Sequence, residues 1–259
     1  MSGEPVRSKG QTMMPGEGST EESSGDYAQG GRPGSPDMFD GIVEGYDFLN
    51  RILSLGMDQR WRRSTVQTLD LAPNARVLDL ATGTGDLALA LSNRHGARTV
   101  VGLDPSPSML ASARRKQEKA KARILLIRGD AHMLPFSDGS FDAVTVAFGV
   151  RNFSQRALAL HEIRRVLEPG GRLVVLELSP PPKGLSGLLT RLWVRSAVPF
   201  IGARFSSGVA YRYLEQSVCA FPRPAEFAEE LESTGLTVLE IRQLTFGACC
   251  LFVAERSLG

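Results

Sequence analysis

Short apolar runs alternate with longer amphipathic runs between residues 76 and 178. The short runs predict five β-strands, at Arg76–Leu80, Val100–Asp104, Ile124–Ile127, Phe141–Phe148 and Arg172–Leu178. The amphipathic runs predict helices between them, at Asp86–Arg94, Pro107–Lys121 and Ser154–Leu167, the last closed by Pro169-Gly170-Gly171. Strands that alternate with helices in this way favour βαβ units and a parallel sheet. Because the strands are continuously apolar, we expect both faces of the sheet to be covered.

The pattern changes after residue 180. Residues 180–235 are typical of helices, and two further strands are predicted at Leu236–Thr245 and Ala248–Glu255. Only Phe246-Gly247 separates these two strands, and a connection that short permits only antiparallel pairing. The predicted fold is therefore α/β and Rossmann-like: a doubly wound, mostly parallel seven-stranded sheet with a C-terminal antiparallel hairpin. Such a hairpin distinguishes class I methyltransferase topology from the common dinucleotide-binding topology.

The N-terminal region divides into two parts. Residues 1–37 are rich in Gly, Ser, Pro and Glu, so we expect a disordered tail. From Met38 to about Asp70 the apolar positions follow a helical period, at Phe39, Ile42, Tyr46, Leu49 and Leu53. We therefore expect a single domain over residues 38–259, with 180–235 as a helical insertion that forms part of an acceptor site.

Composition excludes several classes of protein. The chain has 259 residues, and its net charge of +2 gives no strong attraction to nucleic acid. The three cysteines form neither a disulfide framework nor a metal-ligand spacing, and we expect Cys249 and Cys250 to pack on opposite faces of a strand. We identify neither an apolar run long enough for a transmembrane helix nor an apolar signal region. The expected location is the cytoplasm.

A glycine-rich turn follows the first predicted strand, within the segment from Asp79 to Asp86. Gly83 and Gly85 allow the backbone to turn sharply and approach a ligand closely. In sheets of this kind, a nucleotide-type cofactor binds at the carboxyl ends of the strands. Asp104 ends the second strand, where a carboxylate can accept both ribose hydroxyls, and Asp130 with the N–H of Ala131 could hold adenine.

This turn leaves two cofactor classes open, because Gly83-x-Gly85-x-x-Ala88 also fits the dinucleotide fingerprint. Three features favour S-adenosylmethionine. Asp79 and Asp86 flank the turn and would repel a pyrophosphate but attract a sulfonium and an ammonium. Asp130 supplies the adenine contact, and the chain has no Tyr-x-x-x-Lys pair of a short-chain dehydrogenase. Each carboxylate also has an alternative role that needs no cofactor. Asp79 could cap backbone N–H groups near the strand end, and Asp86 could be a favourable negative charge in the first turn of a helix.

With these motifs, the sequence resembles the ubiquinone/menaquinone biosynthesis C-methyltransferases from about Met38 to Glu255. The general marks are Met38-Phe39-Asp40, Tyr46-Asp47-Phe48-Leu49-Asn50, Gly56, Trp61-Arg62, the segment Leu78–Asp86, and Leu134-Pro135-Phe136. The marks more particular to the family are Phe148-Gly149-Val150-Arg151-Asn152 and Tyr211-Arg212-Tyr213-Leu214 with Ser217.

The resemblance implies cofactor contacts at Thr84, Asp104, Asp130 and Ala131. Some members also use a Ser at the position that Ala147 occupies here, so that hydroxyl contact is absent. The implied reaction is carbon methylation of a prenylated quinol in menaquinone or ubiquinone biosynthesis, with demethylmenaquinol the most expected acceptor. The alternatives are a methyltransferase for a soluble natural product, a non-catalytic binding module, and a nicotinamide oxidoreductase.

Carbon methylation requires the ring carbon and the methyl group to be aligned, and a phenolate to be stabilised. No metal is required. Arg151 and Asn152 follow the fourth strand, and an always protonated Arg151 suits a phenolate donor better than a base. The structural alternative for Arg151 is an ion pair at a strand end. Tyr211 and Tyr213 cannot share a helical face, so we expect one of them, assigned as Tyr211, to reach the acceptor.

The segment 183–204 has no acidic residue, and its apolar residues Leu185, Leu188, Leu189, Leu192 and Trp193 lie at helical spacing. This pattern is typical of an interfacial helix that would give the protein a peripheral contact with the inner face of the membrane. It is equally typical of a helix packed on the sheet or on a second subunit of a homodimer. His132 borders the Asp130-Ala131 pair and is a candidate base, whereas His95 and His161 suit structural positions.

Overall fold

The computed structural model describes residues 40, 43, 47, 50, 51, 54, 56–69, 71, 73–93, 99–180 and 208–258, with the backbone alone for 208–212. The predicted disordered tail over 1–37 and the predicted interfacial helix over 183–204 lie outside these residues, and both stay predictions.

Seven strands of the described residues form one sheet, as the sequence predicted. Their bounds are β1 Arg76–Leu80, β2 Thr99–Asp104, β3 Ile124–Arg128, β4 Phe141–Ala147, β5 Leu167–Leu178, β6 Leu236–Leu244 and β7 Cys249–Arg256. The strand order is β3-β2-β1-β4-β5-β7-β6, with β7 antiparallel to both of its neighbours. The antiparallel hairpin and the mostly parallel α/β sheet are thus confirmed.

Six helices of the described residues pack around the sheet. Their bounds are α1 Asp58–Thr68, α2 Asp86–Ser92, α3 Pro107–Ala120, α4 Arg156–Val166, α5 Gly208–Ala220 and α6 Pro224–Ser233. Short 3-10 turns cover Val150–Asn152 and Thr245–Gly247. None of the helices in this part of the chain is long and apolar enough to cross a membrane.

Two sequence-based boundaries were wrong. The helical pattern before residue 70 is interrupted near Gly56, which has a φ of 74°. Helix α1 is therefore separate from the helical residues described before it, which are Asp40, Val43, Asp47, Asn50 and Arg51. Strand β5 begins at Leu167 and runs through Pro169-Gly170-Gly171, where we predicted a helix end before a strand. Pro169 has no N–H to donate to a neighbouring strand. It is tolerated in β5 because the pairing between β5 and β4 shifts register there.

The core lies on both faces of the sheet, as the apolar strands predicted. Cys249 belongs to the cluster on one face and Cys250 to the cluster on the other, which confirms their assignment as packing residues. On the Cys250 side, Phe227 of α6 meets Phe252 edge-on at 4.9 Å between ring centroids. Edge-to-face aromatic pairs of this kind add about 1 kcal/mol beyond the apolar area that they bury.

The functional edge of the sheet is where β1, β2, β4 and β5 all end, because these strands are parallel. Strand order reverses between β1 and β4, and such a switch point opens a crevice. The loops after these two strands touch: a Cβ on Gly149 would lie 2.6 Å from the Cβ of Ala81. Glycine at position 149 is therefore required by this close approach.

Candidate active site

The turn after β1 is shaped by its two glycines. Gly83 and Gly85 have φ values of 56° and 83°, a region in which glycine is unstrained. A Cβ on Gly85 would lie 3.0 Å from the Cβ of Ala113, so this glycine serves packing against α3. A Cβ on Gly83 would meet no atom of the described residues within 4 Å. Gly83 therefore borders open space that a ligand could occupy.

Asp79 is buried directly beneath this turn. Its carboxylate accepts hydrogen bonds from Thr82 Oγ1 at 2.6 Å and from Thr145 Oγ1 at 2.8 Å. Burial raises the pKa of Asp79 to about 6, although these hydrogen bonds and the charge of Arg62 oppose the rise. Asp79 is thus mostly ionised at neutral pH, and it is a buried anion at the carboxyl end of β1.

Asp104 ties the turn after β1 to the end of β2. One carboxylate oxygen accepts from the N–H of Gly83 at 2.8 Å, and the other accepts from the N–H of Ser106 at 2.9 Å. Burial raises the pKa of Asp104, against these two hydrogen bonds. Each carboxylate oxygen has a second lone pair, so Asp104 retains the capacity to accept two further hydroxyl groups.

Thr84 and Asp86, on the other side of the turn, take part in a charged cluster with Asp47 and Lys116. Lys116 Nζ lies 2.5 Å from Asp86 Oδ1, 2.5 Å from Asp47 Oδ2 and 2.9 Å from Thr84 Oγ1. Thr84 Oγ1 also donates to Asp47 Oδ1 at 2.5 Å. The single positive charge of Lys116 is therefore shared by two carboxylates, so Asp86 is offset only in part and the cluster keeps a net negative charge.

The N-terminal helical residues reach the site at a second point. The Asp40 carboxylate accepts hydrogen bonds from the hydroxyls of Ser106 and Ser108 and from the N–H of Ser108. Burial would raise the pKa of Asp40, but these hydrogen bonds outweigh it and lower the pKa. Asp40 and Asp47 therefore contact the residues that follow β2 and β1, respectively.

Asp130 and Ala131 follow β3, where the predicted adenine contact falls. The Asp130 side chain is 64% exposed, and its carboxylate accepts from the N–H of His132 at 2.9 Å and from the His132 ring at 2.5 Å. Burial alone would raise the pKa of Asp130, but the contacts with His132 outweigh it and lower the pKa. The N–H of Gln155 donates to the other ring nitrogen of His132 at 3.2 Å. His132 is therefore engaged at both nitrogens, which disfavours it as a base.

Arg151 forms a buried ion pair with Glu177, at the ends of β4 and β5. Arg151 Nη1 lies 2.6 Å from Glu177 Oε1 and also donates to the carbonyl of Phe148 at 2.7 Å. The N–H groups of Arg151 and Leu178 donate to the same carboxylate. The Glu177 side chain is 0% exposed. The ion pair that the sequence left as an alternative is thus present, and it fixes the guanidinium.

Asn152 contacts Tyr213 rather than a residue near it in sequence. Tyr213 Oη donates to Asn152 Oδ1 at 2.7 Å, across 61 residues of chain. Helix α5 carries this tyrosine, so one aromatic residue of the 180–235 region does reach the residues after β4. The side chain of Tyr211, our choice for this position, is not among those described, and its role stays a prediction.

Sequence reasoning missed Glu177, Lys116 and Arg62 as residues of the site. Glu177 carried a usable signal, because an acidic residue inside the apolar run of β5 must find a partner when it is buried. Lys116 carried none, because a lysine on an amphipathic helix is usually solvated. Arg62 was noted only as a mark of the family.

A parallel sheet with an antiparallel seventh strand, and buried carboxylates beside a glycine turn, together define a class I methyltransferase fold. Solved structures agree with it. A SAM dependent methyltransferase from Aquifex aeolicus has a TM-score of 0.62 and 17% identity, covering 84% of this chain and 98% of that one. The [4+2]-cyclase SpnF has a TM-score of 0.65 and 18% identity, covering 88% and 97%. These likenesses concern the fold alone, since the same fold serves different reactions.

Residues 32–256 match the ubiE/COQ5 methyltransferase family, and the chain belongs to that family. A demethylmenaquinone methyltransferase of Thermus thermophilus is 51% identical over 221 residues, which are 85% of this chain and 100% of that protein. A ubiquinone/menaquinone biosynthesis C-methyltransferase UbiE of Syntrophotalea carbinolica is 45% identical, over 88% of this chain and 97% of that one. The protein is thus an S-adenosylmethionine-dependent methyltransferase, as the resemblance implied.

Proposed function

We propose that the protein methylates a ring carbon of a prenylated quinol, with demethylmenaquinol as the acceptor. The observation that carries this proposal is the fixed Arg151–Glu177 pair beside the Asn152–Tyr213 pair, at the end of β4 next to the glycine turn. The names of three relatives support the acceptor: proteins of Thermus thermophilus, Deinococcus radiodurans and Thermotoga maritima at 51%, 46% and 44% identity are demethylmenaquinone methyltransferases.

The described residues have the chemistry that S-adenosylmethionine needs. Asp79 would face its ammonium group, and Asp104 would accept its ribose hydroxyls with the lone pairs left by Gly83 and Ser106. The exposed Asp130 carboxylate and the Ala131 N–H would hold adenine. The turn from Gly83 through Thr84 to Gly85 provides the space. When bound, this cofactor supplies an electrophilic methyl group on a sulfonium.

The acceptor side provides fixed polar groups for a quinol oxygen. Because Asn152 Oδ1 accepts from Tyr213, the amide NH2 of Asn152 would be the group that donates to a substrate oxygen. The guanidinium of Arg151, held by Glu177, places a permanent positive charge after β4. A quinol oxygen that loses its proton to water would be stabilised as a phenolate by these two groups, which makes the neighbouring ring carbon nucleophilic.

The test is methyl transfer from S-adenosylmethionine with a labelled methyl group to reduced demethylmenaquinol and, in parallel, to a prenylated benzoquinol. We expect carbon methylation of demethylmenaquinol, with kcat lowered about 100- to 1,000-fold in Arg151→Met, the range for loss of one preorganised donor. Arg123→Met, at an exposed position, is the matched control. Asp104→Ala should lose cofactor binding.

Transfer to the benzoquinol alone would change the acceptor and leave the reaction class intact. Cofactor binding without transfer to either quinol would contradict the proposal and direct the search to soluble acceptors. A fall in the activity of Arg123→Met as large as that of Arg151→Met would show that the effect is not specific to the site.

A further inference from the structure

Arg62 differs from the other cations near the site in its partners. Arg151 is paired with Glu177, and Lys116 is paired with Asp47 and Asp86. Arg62 lies on α1 and is only 9% exposed, yet its Nε has no hydrogen-bond partner in the part of the chain that the structure describes. Among the described residues, no carboxylate lies within ion-pair distance of its guanidinium.

A buried guanidinium N–H without an acceptor is unfavourable, and native structures rarely keep one without a reason. The Arg62 Cζ lies 5.2 Å from the centroid of the Phe148 ring, and such a cation–π contact compensates only in part. The charge of Arg62 also acts on Asp79, where it opposes the effect of burial on the pKa. The side chain is therefore electrostatically close to the end of β1 and in contact with the end of β4.

The position of Arg62 indicates which anionic group of a ligand would pair with its guanidinium. Phe148 directly precedes Gly149, which touches Ala81 of the turn after β1, so Arg62 lies at the junction of these two loops. The proposed cofactor ends in an amino acid that carries an ammonium and a carboxylate. Asp79 would provide a buried anion for the ammonium, and Arg62 is a cation at the same edge of the sheet with the charge that the carboxylate needs.

We propose that Arg62 binds the carboxylate of the methionyl part of S-adenosylmethionine. This inference rests on the proposed cofactor site and extends it, because it assigns a residue outside the strand-end loops and a basis for selectivity. A guanidinium forms strong, often bidentate hydrogen bonds with a carboxylate. The protein should therefore discriminate against ligands that share the adenosine and the sulfonium but lack the carboxylate.

The experiment measures dissociation constants by calorimetry for S-adenosylmethionine and for decarboxylated S-adenosylmethionine. The proteins are the wild type, Arg62→Met, Arg62→Lys and Arg63→Met, the last an exposed neighbour on the same helix that serves as the control. In the wild type, loss of the carboxylate should weaken binding about 10- to 100-fold. In Arg62→Met the two ligands should bind almost equally, with the affinity for the decarboxylated ligand unchanged. Arg62→Lys keeps the charge and should retain intermediate discrimination.

Three outcomes would overturn the inference. If Arg62→Met keeps the wild-type ratio of the two constants, another group binds the carboxylate and the cofactor assignment still stands. If Arg62→Met weakens both ligands equally, Arg62 is structural. If the wild type binds neither ligand, the cofactor site itself is wrong. Thermal unfolding of each variant separates loss of binding from loss of fold, and Arg62→Lys keeps the test decisive if Arg62→Met does not fold.

Discussion

The two halves of the site satisfy their buried charges in different ways. The cofactor half, which comprises the segment Asp79–Asp86 and Asp104, engages its buried carboxylates with neutral donors, which are hydroxyls and backbone N–H groups. The acceptor half, which comprises Phe148–Asn152, Glu177 and Tyr213, uses side-chain pairs from distant parts of the chain. The cofactor half thus keeps excess negative charge beneath the turn, whereas the acceptor half is neutralised internally.

This difference indicates how each half meets its ligand. Buried anions that accept only neutral donors remain available to a cationic ligand, and S-adenosylmethionine carries two positive groups and one negative group. A guanidinium held by a buried carboxylate is fixed before any ligand arrives, and such preorganisation suits the stabilisation of a charge that develops during reaction. Substitutions can perturb one half at a time.

The largest effect is expected in the acceptor half, from Glu177→Ala. Removing one partner of a buried ion pair leaves the other charge uncompensated, so the free energy of unfolding should fall by about 3 to 5 kcal/mol. Urea unfolding followed by circular dichroism measures this change. Glu229→Ala, an exposed position on α6, should change stability by less than about 0.5 kcal/mol. The double variant Arg151→Met/Glu177→Ala should lose less stability than the sum of the two single variants, and a fully additive loss would contradict a direct pair.

In the cofactor half, Asp79→Asn should change how stability depends on pH. Burial raises the pKa of Asp79 to about 6 from an ordinary 3.8, so the folded protein binds this proton more tightly than the unfolded chain. The wild type should therefore lose stability relative to the variant as pH rises from about 4 to 6, by about 3 kcal/mol in total, and the difference should then stay constant. Unfolding curves of both proteins between pH 4 and 8 measure it. If the free energy of unfolding depends on pH in the same way in both proteins, Asp79 is not the titrating group.

A smaller effect is expected from Tyr213→Phe, which removes the donor to Asn152. One hydrogen bond is worth about 1 kcal/mol, so kcat should fall about fivefold while the KM for S-adenosylmethionine stays unchanged. Steady-state methyl transfer measures both constants. Tyr211→Phe is the matched comparison, because the sequence alone favoured that residue. A larger fall in kcat for Tyr211→Phe would restore the original choice and make the Tyr213 contact structural.

The smallest effect is expected from Lys116→Met, in the cofactor half. The cluster with Asp47 and Asp86 is partly exposed, with 27% of the Lys116 side chain accessible, so its loss should reduce stability by about 1 kcal/mol or less. The difference should shrink in high salt because exposed pairs are screened. Urea unfolding at low and high ionic strength tests this, with the exposed Arg115→Met as the control. A salt-independent loss would indicate packing by the lysine stem instead.

Most of the sheet, and the residues proposed for the cofactor half, could be predicted from local sequence patterns. Hydrophobic periodicity located all seven strands within a few residues, apart from the start of β5. The short Phe246-Gly247 connection determined the antiparallel hairpin. Gly83, Gly85, Asp79 and Asp104 were predicted because a tight turn and a strand end are encoded by residues close together in the chain.

The partners of the charged and polar side chains could be identified only from the folded chain. Glu177 meets Arg151 across 26 residues, Lys116 meets Asp86 across 30, and Tyr213 meets Asn152 across 61. Such pairs depend on which strands are neighbours in the sheet and on which helix faces lie next to them. The periodicity of a short segment gives no information about either. The same reason applies to Arg62. The sequence around Arg62 is typical of any basic helix, whereas the folded chain packs Arg62 against Phe148 and leaves its Nε without an acceptor among the described residues.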